Sequence, residues 1–278
     1  VTSLATPPTI SLGGQQSTPS VAFTDLAAGW KARSTWRYLA WNDVKARYRR
    51  TVLGPFWSSM QLLAFVIGIG FLYGALFDIP RQQFLPFVAL GMLIWQFIQG
   101  LVTDATNVFT RSAPFIRSSS RPLSLYCYRG TTGQIIVFLH TLPIVVLVIL
   151  VAGLRPGIVG ICLASAAVLA VILNGFFLTL WLGPLAARFH DVPHLVQLFM
   201  QMAMFITPVF WNPASLPHPS LFVAWNPFAW LIEAFREPLI GGQLMSWTWP
   251  AIIALTIVNF ALGITVFGRT KSKIAYWV

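Results

Sequence analysis

A chain of 278 residues with 56% hydrophobic and only 9% charged side chains, at a mean hydropathy of +0.72, does not have the composition of an ordinary soluble domain. Its net charge of +11 would point to nucleic acid in a soluble protein, but here the cations follow loop position. Every Asp, Glu, Lys and Arg falls outside the long apolar stretches of the sequence.

Residues 1–22 are uncharged and rich in Thr, Ser, Pro, Gly and Gln, so no apolar face offsets the entropy of ordering, and a disordered tail is expected. Over 23–53 the pattern changes to an amphipathic helix. Trp41, Val44, Tyr48 and Val52 fall on one stripe and Asp43, Arg47 and Arg50 on the other, which predicts a helix lying along the cytoplasmic interface. The same pattern also fits a helix docked on protein. Gly54-Pro55 then breaks it.

From residue 54 to 278 six stretches are predicted to span the membrane: 57–77, 84–102, 131–154, 157–187, 192–211 and 247–268. Each is near or above the roughly 20 residues that cross a bilayer. One charge at the centre of such a helix costs about 2.5 to 3.5 kcal/mol, so spans free of charge are written for lipid. The first span serves as its own address, and no secretory signal is expected. Of the 18 Lys and Arg, all but Arg81, Arg155 and Arg236 fall on one side of this topology, which places both ends in the cytoplasm. The fold class is thus an all-α polytopic membrane protein with six transmembrane helices and an N-terminal interfacial helix.

The links differ in character. Residues 78–83 and 155–157 are short outward turns, whereas 103–130 is inward, basic and long enough to dock something. Gly183-Pro184 is expected to end or kink the fourth span. The outward segment 212–246 is apolar but interrupted by Pro213, Pro217, Pro219, Pro227 and Pro238. Within it Phe228, Ile232, Phe235 and Leu239 fit a short helix that carries Glu233, Arg236 and Glu237 and ends at Pro238 and Gly241-Gly242. Re-entrant half-helices lining an exit are the expected reading.

Catalytic chemistry is sparse. The spans hold only His140 and His194 as ionisable groups, neither with a carboxylate in its span, and both are read as structural. The seven carboxylates are scattered, and His190-Asp191 is the one close pair. No enzyme activity, metal site or cofactor in this chain is expected. Cys127, in an inner loop, and Cys162, in a span, are read as free thiols. There is no G-x-x-x-x-G-K loop, so ATP, if used, sits on another polypeptide. Aromatic residues are the plentiful resource. Phe65, Phe71, Tyr73, Trp95, Phe97, Phe199 and Phe205 lie inside spans, where ring faces can stack on sugar rings in a pore.

The run WNDVKARYRRTVLGPFW, from Trp41 to Trp57, resembles the segment leading into the first span of type-2 ABC permeases that export polysaccharides. The blocks from Ala187 to Trp211 and from Asn226 to Gly241, and the ending from Lys273 to Trp277, are similar to that family too. The resemblance implies two permease copies with two copies of a separate ATPase that carries Mg-ATP, exporting a lipid-linked glycan across the bacterial plasma membrane. Galactan, O-antigen and teichoic-acid types are all open. By position, Trp41, Asp43, Arg47, Arg50, Asp104, Asn107, Arg111, Arg117 and Arg121 would meet the ATPase. Phe65, Tyr73, Trp95, Phe199 and Phe205 would line the channel, and Asn226, Trp230, Glu233 and Arg236 would form the outer gate in 212–246. Export of a small molecule or lipid, and a polyprenyl-lipid transferase, are the alternatives.

Overall fold

The structure, a computed structural model, describes residues 18–49, 51–54, 56–76, 81–212 and 224–278, the side chains at 18, 73–76 and 81–83 excepted. The expectations for residues 1–17, Arg50, Pro55, the Tyr73 side chain, 77–80 and 213–223 lie outside the described residues. The described residues form helices without any strand: α1 (Thr18–Lys31), α2 (Arg33–Arg47), α3 (Phe56–Leu76), α4 (Arg81–Arg111), α5 (Ala113–Ser118), α6 (Ser124–Val151), α7 (Ile158–Arg188), α8 (Val192–Ile206), α9 (Pro227–Ile240) and α10 (Thr248–Trp277).

Four segments are long and apolar enough to cross a membrane, namely Phe84–Ser118, Ser124–Val151, Ile158–Arg188 and Thr248–Trp277. Two shorter apolar helices, Phe56–Leu72 and Val192–Ile206, stand where the first and fifth spans were expected. The chain is therefore an all-α, multi-pass membrane protein. In α8, 15 helical residues reach only about 22 Å at 1.5 Å per residue. The helix stops there because Pro208 drives Thr207 into extended backbone, at φ −83° and ψ 137°, so the stretch to Trp211 is irregular rather than helical.

Helix α4 is the axis of the fold. It is apolar on all sides through its middle, and Val88, Ala89, Leu90, Ile94 and Trp95 are fully buried, as a helix without a polar face requires. It packs against α3, α6, α7, α8 and α9. Helices α7 and α10 are joined by a polar seam: Asn259 donates to Asn174 at 2.9 Å, Asn174 to Thr256 at 2.8 Å and Trp181 to Asn259 at 3.1 Å. Such bonds act as glue between helices in lipid, where apolar contact alone is undirected.

Several boundaries differ from the expectations. Helix begins at Thr18, inside the segment read as tail, and the single helix over 23–53 is two, broken at Ala32. Its inward stripe is Trp36, Ala40 and Val44, packed on α6, while Trp41 stays 43% exposed. The apolar face of α2 thus rests on the bundle itself instead of on lipid. The inner loop 103–130 is mostly helical, because α4 runs on to Arg111 and α6 starts at Ser124. Helix α7 continues through Pro184 to Arg188. There Gly183 lies against Ala105, Val108 and Phe109 of α4, and the surrounding helices hold the backbone in place.

Candidate functional site

The functional residues gather at the two ends of the bundle. At the end rich in cations, Asp43 of α2 receives two hydrogen bonds from Arg129 of α6, at 2.5 and 2.6 Å. The Arg129 guanidinium also lies 5.7 Å from the centre of the Phe115 ring in α5. This one side chain, 8% exposed, fastens three elements in bidentate geometry. On the same end, Asp104 of α4 accepts from Arg111 at 2.7 and 3.2 Å, and the Asp43 charge reaches Arg111 as well.

Asp25 forms a second tie. Its buried carboxylate accepts from the backbone N–H groups of Ser124 (2.8 Å) and Leu123 (3.4 Å) and pairs with Lys271 of α10 at 2.7 Å. Ser124 returns a hydroxyl bond of 2.7 Å to the Asp25 carbonyl. Helix α6 has no capping side chain of its own, so Asp25 on α1 supplies the anion that its N-terminus lacks. Arg117 of α5 donates to the backbone oxygen of Val278.

Around these ties Trp41, Arg47, Asn107, Arg111, Arg117 and Arg121 are exposed, with Lys45 over the Trp41 ring at 5.2 Å. Asn107 donates within its own turn, to Thr103 and Thr106. Of the docking residues read from the sequence, Asp43 and Asp104 are therefore held by internal partners, and every charged residue of the exposed set is a cation. Arg129, Asp25 and Lys271 carry the geometry but were not singled out. The signal in the sequence was their sign: inner-side carboxylates are few, and each must find a cation.

At the opposite end, α9 is clamped. The Asn226 side chain accepts from the N–H groups of Phe228 (2.9 Å) and Ala229 (3.3 Å) and donates to Thr207 at 2.9 Å. It caps α9 and ties it to the end of α8. Trp230 donates to Ala224 at 2.9 Å and meets Trp247 edge to face. Gly241, at φ +78°, ends the helix in the left-handed conformation, and the Gly242 N–H closes on Glu237 at 2.9 Å.

The sequence places Arg236 on this helix as a residue of the outer gate, yet it is 1% exposed. It donates to the Pro208 carbonyl at 2.9 Å and to Glu237 at 3.1 Å, with its guanidinium carbon 3.6 Å from the Phe87 ring centre in α4. The irregular backbone after α8 leaves carbonyls without helical partners, and Arg236 satisfies one of them. The close packing needs Gly91, where a Cβ would strike the Val209 carbonyl oxygen and come within 3.3 Å of Arg236 Nη1. Glu233 does not pair with Arg236; the carboxylate at 3.1 Å is Glu237.

Among the aromatic residues, Phe199 and Phe205 are 57% and 69% exposed on α8, and Phe65 is half-buried beside Phe210. Trp95 is fully buried edge to face against Phe228, so it belongs to the core under α9 and not to a channel wall. Phe97 likewise stacks on Phe138 in the core. His140 pairs with the Ile136 carbonyl at 2.7 Å, and both cysteines are free.

An apolar bundle with cations and ion pairs at one end and a clamped half-length helix at the other has the layout of a multi-pass transport protein. The sequence profile of the ABC-2 type transporter family matches residues 34–240, and the chain belongs to that family. It is similar to two proteins of Klebsiella pneumoniae named "O-antigen export system permease protein RfbA". They are 23% identical over 235 residues and 24% identical over 237 residues, each covering 84% of this chain and 90% of the relative. A Myxococcus xanthus protein of the same name is 22% identical over 205 residues, 71% of this chain and 77% of its own length.

Proposed function

We propose that this chain is the transmembrane permease subunit of an ATP-driven exporter that moves a lipid-linked polysaccharide across the bacterial plasma membrane. The observation that carries this reading is the segregation of charge along the bundle, read with the O-antigen export permeases that resemble the chain over 84% of its length. Exposed cations at one end suit an acidic face on a separate ATPase, with both chain ends on the cytoplasmic side. Two ATPase copies would serve two permease copies, each with six spans.

In this reading ATP binding pulls on α2 and α5, which Arg129 joins to α6, while the Asp43 charge also acts on Arg111 at the end of α4. Helix α4 runs unbroken from that network to Phe87 under Arg236, so movement at the inner end is delivered to the outer half-helix α9. A galactan, O-antigen or teichoic-acid type of glycan would pass along exposed aromatic faces such as Phe199 and Phe205 once two copies enclose a channel.

The test is to purify the chain from its own cells with the complex intact, identify the co-purifying ATPase and analyse the bound lipid. An ATPase whose association weakens on charge reversal at Arg117 and Arg121, together with a polyprenyl-linked glycan, is the expected result. A bound small molecule with no glycan would replace the proposed cargo, and unaltered association after both reversals would remove the docking assignment.

A further inference from the structure

Three cations break the rule that places Lys and Arg at the inner end: Arg81, Arg155 and Arg236. The structure accounts for Arg236 through its buried bonds, and the Arg81 side chain is outside the described residues. Arg155 remains. It stands exposed in the turn between α6 and α7, and among the described residues it forms no ion pair.

Its two chain neighbours, Leu154 and Pro156, line the mouth of a cavity of about 490 Å³. The cavity runs between Leu90 of α4, Leu142 and Ile149 of α6, Ala164 of α7, and Phe235 and Leu239 of α9. Val146 and Leu150, also in its wall, are 46% and 68% exposed on the outside of the bundle, so the cavity opens sideways at the depth where the surrounding solvent is hydrocarbon. It is about three times the size of the roughly 150 Å³ apolar cavity that already takes benzene. An apolar slot with a free cation at its mouth matches an amphiphile with one hydrocarbon chain and one anionic head.

We infer that this cavity binds an anionic phospholipid of the outer leaflet, one acyl chain within the slot and the phosphate against Arg155. The inference rests on the proposed orientation of the bundle, though lipid binding can be read without any transport. Because Phe235 and Leu239 flank Arg236 and line the slot, the bound chain is a wedge beneath α9, and its presence fixes how α9 sits on α7. Bulk membrane lipid is the source, since it surrounds the opening. A polyprenyl phosphate has the same two chemical parts and is the alternative that the experiment separates.

The full chain in detergent is titrated with dioleoyl-phosphatidylglycerol, dioleoyl-phosphatidylcholine and undecaprenyl phosphate, and occupancy is read by native mass spectrometry. Phosphatidylglycerol should be preferred over phosphatidylcholine by about five-fold, the amount one basic residue contributes near a headgroup plane. The preference should vanish in Arg155→Gln, survive in Arg155→Lys, and total occupancy by either phospholipid should fall in Ser165→Phe, which fills the slot from its exposed side. Arg155 is exposed in a turn, so its variants test the site without touching the core. Equal binding of the two phospholipids, or a preference that persists in Arg155→Gln, would overturn the inference. Undecaprenyl phosphate binding ahead of phosphatidylglycerol would overturn the choice of a phospholipid and hand the slot to the cargo's anchor.

Discussion

The guanidinium of Arg236 lies 3.6 Å from the centre of the Phe87 ring and donates to the carbonyl of Pro208, so one buried cation joins α9, α4 and the irregular backbone after α8. A charge is expensive at such a depth unless every donor has a use. Here the ring, the carbonyl and Glu237 share it.

Replacing Arg236 with Leu should therefore leave the Pro208 carbonyl unsatisfied and lower stability by about 2 kcal/mol. Thermal unfolding in detergent checks this, and a double-mutant cycle with Phe87→Ala should return a coupling of about 1 to 2 kcal/mol. Additive losses would show that ring and cation act separately. Lys at 236 should recover only part of the loss, because an ammonium cannot lie flat on the ring while reaching both oxygens.

At the inner end, Asp43→Ala strands Arg129 with its charge largely buried and should cost about 3 kcal/mol. The double variant Asp43→Ala with Arg129→Met removes the stranded charge and should regain most of that stability. Coupled ATP hydrolysis should stay low in the double variant, because the link from α2 to α6 is gone. Stability and coupling that recover together would assign the pair a structural role alone.

Asp25 and Lys271 are predicted to be unequal partners. Asp25 also receives the N–H groups that open α6, whereas Lys271 has one-third of its side chain exposed. Asp25→Ala should cost about 3 kcal/mol, in line with loss of a buried paired anion, and expose α1 to protease. Lys271→Met should cost less, about 1 kcal/mol, because the two backbone N–H groups of α6 still satisfy the Asp25 carboxylate. Equal losses in limited proteolysis and unfolding would contradict the capping role.

The aromatic residues sort by burial. Trp95→Ala should destabilise by about 3 to 5 kcal/mol by opening a cavity in the core under Phe228. Phe199→Ala and Phe205→Ala, on the exposed face of α8, should leave thermal stability within about 0.5 kcal/mol while reducing glycan export. Export rates unchanged in the Phe199 and Phe205 variants, at matched protein levels, would remove those rings from the channel wall.

How far the sequence reveals this molecule depends on what each feature answers to. The apolar stretches answer to the bilayer, whose exclusion of charge is local and one-dimensional, so the positions of the membrane helices and the short helix around Ile232 were readable. Helix ends answer to tertiary support. That is why α7 passes through Pro184 and α4 overruns the expected loop as far as Arg111, while α8 ends where Pro208 holds Thr207 in extended backbone. The site was legible as a set of charged residues and not as a set of pairs. Asp25 meets Lys271 across most of the chain and Asp43 meets Arg129 across 86 residues, and no spacing rule carries such a distance. Arg236 was visible as a gate residue and as an exception to the charge pattern, but its burial follows from a carbonyl that the sequence does not show to be vacant.

The central claim is that this chain passes a lipid-linked polysaccharide outward. Depleting it in its own cells, with radiolabelled sugar followed into lipid-linked and surface pools, tests that most directly. Lipid-linked glycan should build up on the cytoplasmic leaflet while surface glycan falls, and re-expression should reverse both. Surface glycan that persists at its normal level, with no build-up of the lipid-linked form, would contradict the account.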